Sequence, residues 1–144
     1  MRKERRMIMN TKTYTTLPQE AKDIRIEVFM KEQGFENEFD DIDTISHHIV
    51  VFDEGKPIGT CRFFKENDHY TIGRVAVLKA YRNQHIGNLL LISAEKEIKK
   101  LNGDLIVVHA QVRVSPFYKK QGYIQFGQID DDEGVPHMWM KKRI

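Results

Sequence analysis

The spacing of apolar positions predicts three helices along this chain. The longest covers residues 86–101, because apolar residues recur there at every third or fourth position, and Asn102-Gly103 ends it. An earlier helix begins after Pro18, and a short one begins at Ser115-Pro116, with serine as its cap and proline in the first turn. The apolar face of the longest helix comprises Ile86, Leu90, Ala94, Ile98 and Leu101, and that of the earlier helix comprises Ile24, Val28 and Phe29.

Short apolar runs between turn residues predict the strands. Asp53-Glu54-Gly55-Lys56 predicts a hairpin turn, and the nearly unbroken apolar run at residues 105–108 is typical of a strand buried on both faces. The strands on either side of the longest helix should be parallel, since a helical crossover joins them, whereas the hairpins should be antiparallel. The predicted strands lie within residues 8–15, 48–52, 58–64, 70–77, 105–108, 123–128 and 136–142. The pattern therefore predicts an α/β (α+β) fold, a mixed sheet with helices on both faces.

Length and composition limit the class of protein. With 144 residues, of which 40% are hydrophobic and 31% charged, the chain is expected to form one domain over residues 1–144. No apolar stretch approaches the roughly 18 residues that cross a bilayer, so no membrane partner is expected. A lone cysteine, Cys61, excludes an internal disulfide and suits the cytoplasm.

The charge and the spacing of ligand-type residues exclude two further classes. The net charge of +2 argues against a nucleic-acid partner, although the basic residues 2–6 leave a nucleic-acid arm as a minor alternative. The chain has no CxxC pair for zinc, and its acidic runs do not match the 12-residue calcium loop. We therefore expect no metal.

Residues 75–90 combine a strand, a short basic turn and the start of the longest helix. A strand that runs through such a turn into a helix directs successive backbone N–H groups at one point, and the helix dipole adds partial positive charge there. Arg82, within the turn, can add a full charge and a bidentate hydrogen bond. The segment therefore predicts a binding site for a pyrophosphate group.

Two motifs in this chain resemble those of a known family. Arg82-Asn83-Gln84-His85-Ile86-Gly87 is similar to the Arg/Gln-x-x-Gly-x-Gly/Ala pyrophosphate loop of the GNAT superfamily of N-acetyltransferases, and Phe117-Tyr118 with Gly122-Tyr123 is similar to its Phe-Tyr-x-x-x-Gly-Phe segment. One helix and one buried strand separate the motifs, as in the family, and the element order matches from about residue 24 onward. Finer similarities to the small bacterial ElaA-like branch lie in residues 25–33, Asp43 with His47-His48, His109-Ala110-Gln111 and Gly134-Val135-Pro136-His137.

The resemblance implies that acetyl-CoA is the cosubstrate and that it lies between the parallel strands. In the family these strands separate at a bulge, which frees backbone groups to pair with the pantetheine arm and to polarise the thioester carbonyl. It also implies a GNAT-type sheet of six or seven strands, mostly antiparallel, with the parallel pair at its centre. The implied cofactor-binding residues are Val75, Ala76, Val77, Arg82, Asn83, Gln84, His85, Ile86, Gly87 and Asn88.

One position departs from the family pattern, because His85 stands where the loop has its middle glycine. That glycine lets the backbone approach phosphate closely or adopt a positive φ. If His85 adopts such a conformation, strain of about 1–3 kcal/mol is expected; alternatively, its imidazole donates a hydrogen bond to a phosphate oxygen. We expect acetyl-CoA binding to survive in either case.

Tyr118 occupies the position of the family's general acid, which the resemblance makes the donor to the departing sulfur. A phenol with an ordinary pKa of about 10 protonates a thiolate of about 8.5 uphill by roughly 2 kcal/mol. A hydrogen bond without full proton transfer is therefore the easier contribution. The structural alternative is a tyrosine that closes the short helix against the sheet.

The sequence leaves the general base open. Many family members have a glutamate on the strand before the loop, whereas Arg74 stands in the corresponding neighbourhood here. The acidic hairpin at residues 130–134 could border the acceptor site and attract a cationic amine, and the acidic run at residues 40–43 is expected to be a solvated loop. Each candidate also has an ordinary structural explanation, on a helix face or in a strand. The candidates for the acceptor site or the base are Glu32, Asp43, His48, His109 and His137.

Together these features predict an acetyl-CoA-dependent N-acetyltransferase. Its acceptor would be a primary amine of a small molecule or peptide, which attacks the thioester directly. The alternative from another class is a non-catalytic module that binds or senses acyl-CoA. The identity of the amine cannot be read from the sequence, since one cofactor site serves many acceptors in the family. A homodimer would be unsurprising for this fold.

Overall fold

Seven strands form one sheet within residues 9–144, the part of the chain that the computed structural model describes. They are β1 (Met9–Tyr14), β2 (His47–Asp53), β3 (Lys56–Glu66), β4 (His69–Val77), β5 (Leu105–Gln111), β6 (Ile124–Asp132) and β7 (Val135–Arg143). Their order across the sheet is β1-β2-β3-β4-β5-β7-β6, and every pair of neighbours is antiparallel except β4 and β5. This confirms the predicted mixed, mostly antiparallel sheet with a parallel pair at its centre. The basic residues 2–6 lie outside the described part.

Three α-helices lie between the strands of the described chain: α1 (Gln19–Arg25), α2 (Ile86–Lys100) and α3 (Ser115–Lys120). The first continues as a π-helical segment, Ile26–Glu32, and single 3₁₀ turns cover Asp41–Thr44, Lys79–Tyr81 and Val112–Val114. Within residues 9–144, no helix combines the length and the apolar content that a membrane crossing requires.

The helix ends agree with the sequence pattern only in part. The backbone N–H of Gly103 donates to Ile98 O (2.9 Å), and Asn102 has a φ of +65°, so α2 ends at the predicted turn. Leu101, however, does not belong to the apolar face, because it follows the helix and is 45% exposed. Ser115 is the first residue of α3 rather than its cap, since Val114 holds the cap position.

The helices pack on both faces of the sheet, as predicted. Alternation along β2 shows the two faces: Ile49 and Val51 lie in the cluster that contains α2, whereas Val50 and Phe52 lie in the cluster that contains α1. The α2 cluster also includes Tyr118 of α3, so α2 and α3 cover the same face. The buried apolar residues of α2 are Ile86, Leu90, Leu91, Ala94 and Ile98, and those of α1 and its π-helical continuation are Ala21, Ile24, Val28 and Phe29.

A bulge in β4 opens the centre of the sheet. Arg62 pairs with Gly73 and Thr60 pairs with Ala76, so two residues, Arg74 and Val75, face the single residue Cys61. The parallel pairing of β4 with β5 covers only three residue pairs and ends where Ile72 meets Val108. Beyond that point β4 and β5 separate, as the family resemblance implies. The separation places a cleft at the carboxyl ends of the two parallel strands.

Candidate functional site

Two clefts meet at the bulge. The first, here called the helix cleft, runs along residues 75–77 and the start of α2 as far as Phe117. The second, the histidine cleft, is lined by His109, His137 and Tyr118 together with Glu38 and Arg74. The two clefts share four lining residues, so they form one continuous depression across the separated strands. The shared residues are Gln33, Val75, Arg113 and Val114.

The helix cleft collects the residues that the sequence predicts for a cofactor. All ten line it except Gln84, which lies exposed in the turn. The first helical hydrogen bond runs from the Leu89 N–H to His85 O (3.1 Å), so the backbone N–H groups of Ile86, Gly87 and Asn88 precede it. Such N–H groups, with the positive end of the helix dipole, are suited to an anion.

His85 adopts the left-handed conformation that the glycine of the family loop would take. Its φ is +62° and its ψ is +22°, and it holds the N-cap position of α2 without a side-chain capping hydrogen bond. Asn83, two residues earlier, also has a positive φ of +63°. A left-handed histidine is strained because its Cβ crowds the backbone. The turn therefore holds His85 in the left-handed conformation that glycine adopts more easily.

The strain at His85 predicts a measurable effect on the free energy of unfolding. We expect His85→Gly to raise the free energy of unfolding by about 0.5–1 kcal/mol, because relief of strain exceeds the extra backbone entropy of glycine. His85→Ala, which retains a Cβ, should give no such gain. Urea denaturation of the three proteins measures the difference. A lower stability of the glycine variant would contradict the assignment of strain to this residue.

Arg82 is held by an ion pair at the mouth of the helix cleft. Its two terminal nitrogens donate to both carboxylate oxygens of Glu32 (2.5 and 2.6 Å), and its Nε donates to Val77 O (3.0 Å). The hydrogen bond from Arg82 lowers the pKa of Glu32, and the same pair raises the pKa of Arg82. Glu32 does not line the histidine cleft. Both of its oxygens are engaged, so it is poorly suited to accept a proton.

The two sequence motifs touch each other through Gly87 and Phe117. A Cβ added at Gly87 would lie 3.1 Å from the Phe117 ring, which is tighter than ordinary contact. The glycine therefore permits close packing of α3 against the first turn of α2. This contact fixes the position of Tyr118, the next residue of α3, relative to the helix cleft.

Tyr118 is a buried phenol at the wall of the histidine cleft. It is 7% exposed and packs edge-on against Phe117 and Tyr123, with ring centroids 5.1 and 5.8 Å away. Within residues 9–144, no protein group forms a hydrogen bond with its hydroxyl, which leaves that hydroxyl available to a ligand. Burial, and then the proximity of Cys61, raises the pKa of Tyr118 above its ordinary value. The side chain is therefore a hydrogen-bond donor at neutral pH.

The acidic run at residues 40–43 leads into a 3₁₀ turn and is only partly solvated, because Asp40 and Asp41 are exposed whereas Asp43 is buried. Asp43 is 6% exposed and accepts hydrogen bonds from Arg25 (2.8 Å) and Arg62 (2.9 Å). Burial raises the pKa of Asp43, but the hydrogen bonds and charges of the two arginines outweigh it and lower the pKa to about 2. Three arginines and three carboxylates balance one another in this ionic cluster. Its members are Arg25, Glu38, Asp40, Asp43, Arg62 and Arg74.

Two predicted site residues lie away from both clefts: Asp43 belongs to the ionic cluster, and His48 contacts it. Asp43 lines neither cleft. His48 is buried at 1% exposure, and its Nε2 lies 3.0 Å from Asp43 O. Burial lowers the pKa of His48, which favours the neutral ring. Both residues therefore have structural partners.

Glu38 is a cleft residue that the sequence pattern does not predict. Its carboxylate accepts hydrogen bonds from Arg25 (2.7 Å) and lies 3.1 Å from the Arg74 guanidinium, and both Glu38 and Arg74 line the histidine cleft. Burial raises the pKa of Glu38, while Arg74 and Arg25 oppose the rise. No local motif marks Glu38, because its partners are 13 and 36 residues away in the chain.

His109 and His137 line the histidine cleft side by side. The His109 ring stacks on Trp139 at 4.2 Å and lies 4.8 Å from the His137 ring. His109 Nε2 is 2.7 Å from Asp130 Oδ1, and His137 Nδ1 is 2.9 Å from Val135 O. Of the five candidates for the acceptor site or the base, these two histidines alone line the cleft that contains Tyr118.

The β6–β7 hairpin borders the histidine cleft. Asp132 and Glu133 contribute to the lining, and Glu133 Oε1 accepts a hydrogen bond from the Glu36 N–H (3.2 Å). This contact joins the hairpin to the loop that follows the π-helical segment. Within the described residues, no group of three or more histidines, cysteines or acidic residues is arranged to hold a metal ion.

A central parallel pair that opens at a bulge beside a helix N-terminus defines the class of acyl-CoA-dependent acyltransferases. Residues 14–144 match the family model for the acetyltransferase (GNAT) domain, so the chain belongs to the GNAT family and is an acetyltransferase. Proteins of this family use acetyl-CoA or CoA. The family prediction is confirmed.

Similar proteins support the same assignment. The chain is 35% identical over 122 residues to the N-acetyltransferase YjcF of Bacillus subtilis, across 83% of this chain and 87% of the relative. It is 25% identical over 128 residues to the protein ElaA of Escherichia coli, across 84% of each. A crystal structure of a proposed N-acetyltransferase from Lactobacillus plantarum superposes with a TM-score of 0.86 at 28% identity, across 94% of this chain and 97% of that one. These findings also confirm the predicted similarity to ElaA.

Proposed function

We propose that this acetyltransferase transfers the acetyl group of acetyl-CoA to a primary amine of a small molecule or peptide, by direct attack of the amine on the thioester. The observation that carries the proposal is the junction of the two clefts at the β4 bulge. Val75 lines both clefts, so a donor in one and an acceptor in the other would meet beside it. Tyr118 stands in the wall of the acceptor side.

The helix cleft fits acetyl-CoA. The N–H groups of Ile86, Gly87 and Asn88 would hold the diphosphate, with the ion pair of Arg82 and Glu32 beside them at the cleft mouth. The backbone of residues 75–77, beyond the last β4–β5 pair, would bind the pantetheine arm. When bound, acetyl-CoA supplies an acetyl group that is activated as a thioester.

Tyr118 would assist departure of the thiol. As the N–C bond forms and the C–S bond breaks, the electron pair of the C–S bond remains on sulfur, and the Tyr118 hydroxyl donates a hydrogen bond to it. Because burial raises the pKa of Tyr118, complete proton transfer to sulfur is more uphill than for an exposed tyrosine. The hydrogen bond itself is therefore the main contribution of Tyr118.

The histidine cleft favours a small cationic acceptor. Its volume is about 260 Å³, just below the range of about 300–1,000 Å³ typical of small-molecule sites, so it admits a small amine or the end of a larger one. Asp132 and Glu133 at its border favour approach of an ammonium group.

A panel of amines, each assayed with acetyl-CoA by release of free thiol, tests this proposal. We expect saturable thiol release with at least one primary amine and formation of the matching acetamide. Thermal stabilisation by acetyl-CoA without acetyl product from any amine would overturn the proposal. That outcome would instead support a module that binds acyl-CoA without turnover.

A further inference from the structure

We infer that His137 is the general base of the transfer, taking a proton from the acceptor ammonium, and that Asp130 and His109 position and support it. The inference rests on the proposed function and names a catalytic residue of that same site. The evidence for this inference is the hydrogen bonding of His109 and His137.

The hydrogen bond of His137 sets its tautomer. Its Nδ1 lies 2.9 Å from Val135 O, and a carbonyl oxygen can only accept, so Nδ1 carries the hydrogen. In the neutral ring, Nε2 is then the atom with the free lone pair. Within residues 9–144, no protein group forms a hydrogen bond with that nitrogen. His137 is 6% exposed and lines the histidine cleft together with Tyr118.

Asp130 is placed to stabilise a positive charge on His137. The two residues face each other directly in the β6–β7 pairing, and side chains in such positions are neighbours on one face of the sheet. Asp130 also accepts a hydrogen bond from His109 Nε2 (2.7 Å), which lowers the pKa of Asp130 and keeps it ionised. A proton gained by His137 would thus appear beside a carboxylate.

The His109 ring packs against the His137 ring. Its ring lies between Trp139 (4.2 Å) and His137 (4.8 Å), and its Nε2 is committed to Asp130. The lone pair of neutral His109 then lies on Nδ1, and it is the packing of its ring against both Trp139 and His137 that assigns His109 to positioning His137. We expect its loss to weaken catalysis less than the loss of His137.

The other candidate bases are engaged elsewhere. Glu32 uses both oxygens to bind Arg82. Asp43 is paired with two buried arginines and lines neither cleft. Glu38 does line the histidine cleft, but its carboxylate forms ion pairs with both Arg25 and Arg74. Asp132 and Glu133 also line the cleft but are exposed on the hairpin, whereas His137 is 6% exposed and keeps a lone pair on Nε2.

The proton balance is simple. The acceptor N–H bond breaks, its electron pair stays on nitrogen, and the proton bonds to His137 Nε2, from which it passes to water. The amine then attacks the acetyl carbonyl. The second proton that nitrogen loses, as the amide forms, balances the new S–H bond of the thiol, next to Tyr118.

His137→Asn is the most informative variant. The asparagine amide can replace Nδ1 as donor to Val135 O, but it has no counterpart of the Nε2 lone pair. For an alkylamine acceptor, we expect kcat/KM to fall by about 10²–10⁴-fold, with acetyl-CoA affinity and Tm nearly unchanged. The matched control is His69→Asn, at the start of β4 and outside both clefts, which should leave kcat/KM unchanged.

Comparing activity with two acceptor amines shows whether His137 acts as a general base or has only a structural role. An amine that is already uncharged at the assay pH, such as hydroxylamine, needs no deprotonation before attack. His137→Asn should therefore lose far less activity with hydroxylamine than with an alkylamine. Equal losses with both acceptors, or wild-type rates with both, would overturn the inference.

The pH dependence of kcat/KM for the wild-type enzyme gives a test that does not depend on whether a variant folds. With an alkylamine, kcat/KM should fall at acid pH as the base becomes protonated. Hydroxylamine should show a much weaker fall when its kcat/KM is calculated on the concentration of uncharged hydroxylamine, because hydroxylamine is itself protonated in acid. The titratable and charged groups that line the histidine cleft with His137 or pair with it are His109, Tyr118, Glu38, Arg74, Arg113, Asp130, Asp132 and Glu133. Identical profiles with both acceptors would overturn the role of His137 alone. Failure of wild-type enzyme to acetylate any amine would overturn the proposed function as well.

Discussion

Replacement of Tyr118 by phenylalanine is expected to lower kcat by about 10²–10⁴-fold, the usual range for loss of a positioned proton donor. Affinity for acetyl-CoA should remain nearly unchanged, because residues 75–77 and the start of α2 form the helix cleft, which Tyr118 does not line. The fold should survive as well, since the hydroxyl has no hydrogen-bond partner within residues 9–144. Thiol-release kinetics together with acetyl-CoA titration measure the two effects separately.

Tyr70 offers a matched control for this substitution. It is 8% exposed, belongs to the same hydrophobic cluster as Tyr118 and lines neither cleft. Tyr70→Phe should therefore keep the wild-type kcat. If Tyr118→Phe also keeps it, the hydroxyl does not assist the leaving thiol and Tyr118 serves only to pack α3 against the sheet.

Replacement of Arg25 by methionine is expected to destabilise the fold by about 3–5 kcal/mol, because it leaves the buried ionic cluster with one uncompensated negative charge. Arg25 is 1% exposed and donates to Glu38 (2.7 Å) and Asp43 (2.8 Å). Methionine preserves much of the side-chain length but none of the charge. Urea denaturation measures the change in the free energy of unfolding.

Lys31→Met is the control on the same helical segment. Lys31 pairs with Glu27 at 3.6 Å, but both side chains are more than half exposed, so the loss should be at most about 0.5 kcal/mol. A comparable loss in the two variants would show that burial of the ionic cluster does not matter for stability.

The ionic cluster should also make the protein sensitive to acid. The folded-state pKa of Asp43, about 2, lies below its ordinary value of 3.8, so its contribution is fully present above pH 4. The contribution, on the order of 2 kcal/mol, is lost as the pH falls from about 4 towards 2. Asp43→Asn should be less stable at neutral pH and should lose less stability over that acid range.

The regular elements were predictable because their signals are local. Helical spacing of Ile86, Leu90 and Ala94 marks α2, and a helical crossover between two strands requires the parallel pair. The bulge is different. Its residue Arg74 has a φ of +51°, and no feature of the sequence around Arg74 favours a left-handed arginine. The surrounding ionic contacts with Glu38 and Asp40 hold it there, and they come from a distant loop.

The same distinction applies to the candidate site. The turn at residues 82–88 is contiguous, so its role could be predicted from the chain alone, and nine of the ten predicted cofactor residues line one cleft. The candidate bases could not be ranked, because each depends on a partner that the fold supplies. Arg82 lies 50 residues from Glu32, and Asp130 lies 21 residues from His109. Only such long-range contacts distinguish the candidate residues that are paired within the protein from those that face the histidine cleft.

The central claim is that backbone N–H groups at the start of α2 hold the diphosphate of CoA. Isothermal titration calorimetry that compares acetyl-CoA with acetyl-pantetheine, which lacks the diphosphate, tests it most directly. We expect saturable binding of acetyl-CoA at submillimolar concentration and much weaker binding of acetyl-pantetheine. Equal affinities for the two compounds, or no association of folded protein with acetyl-CoA at millimolar concentration, would contradict the claim.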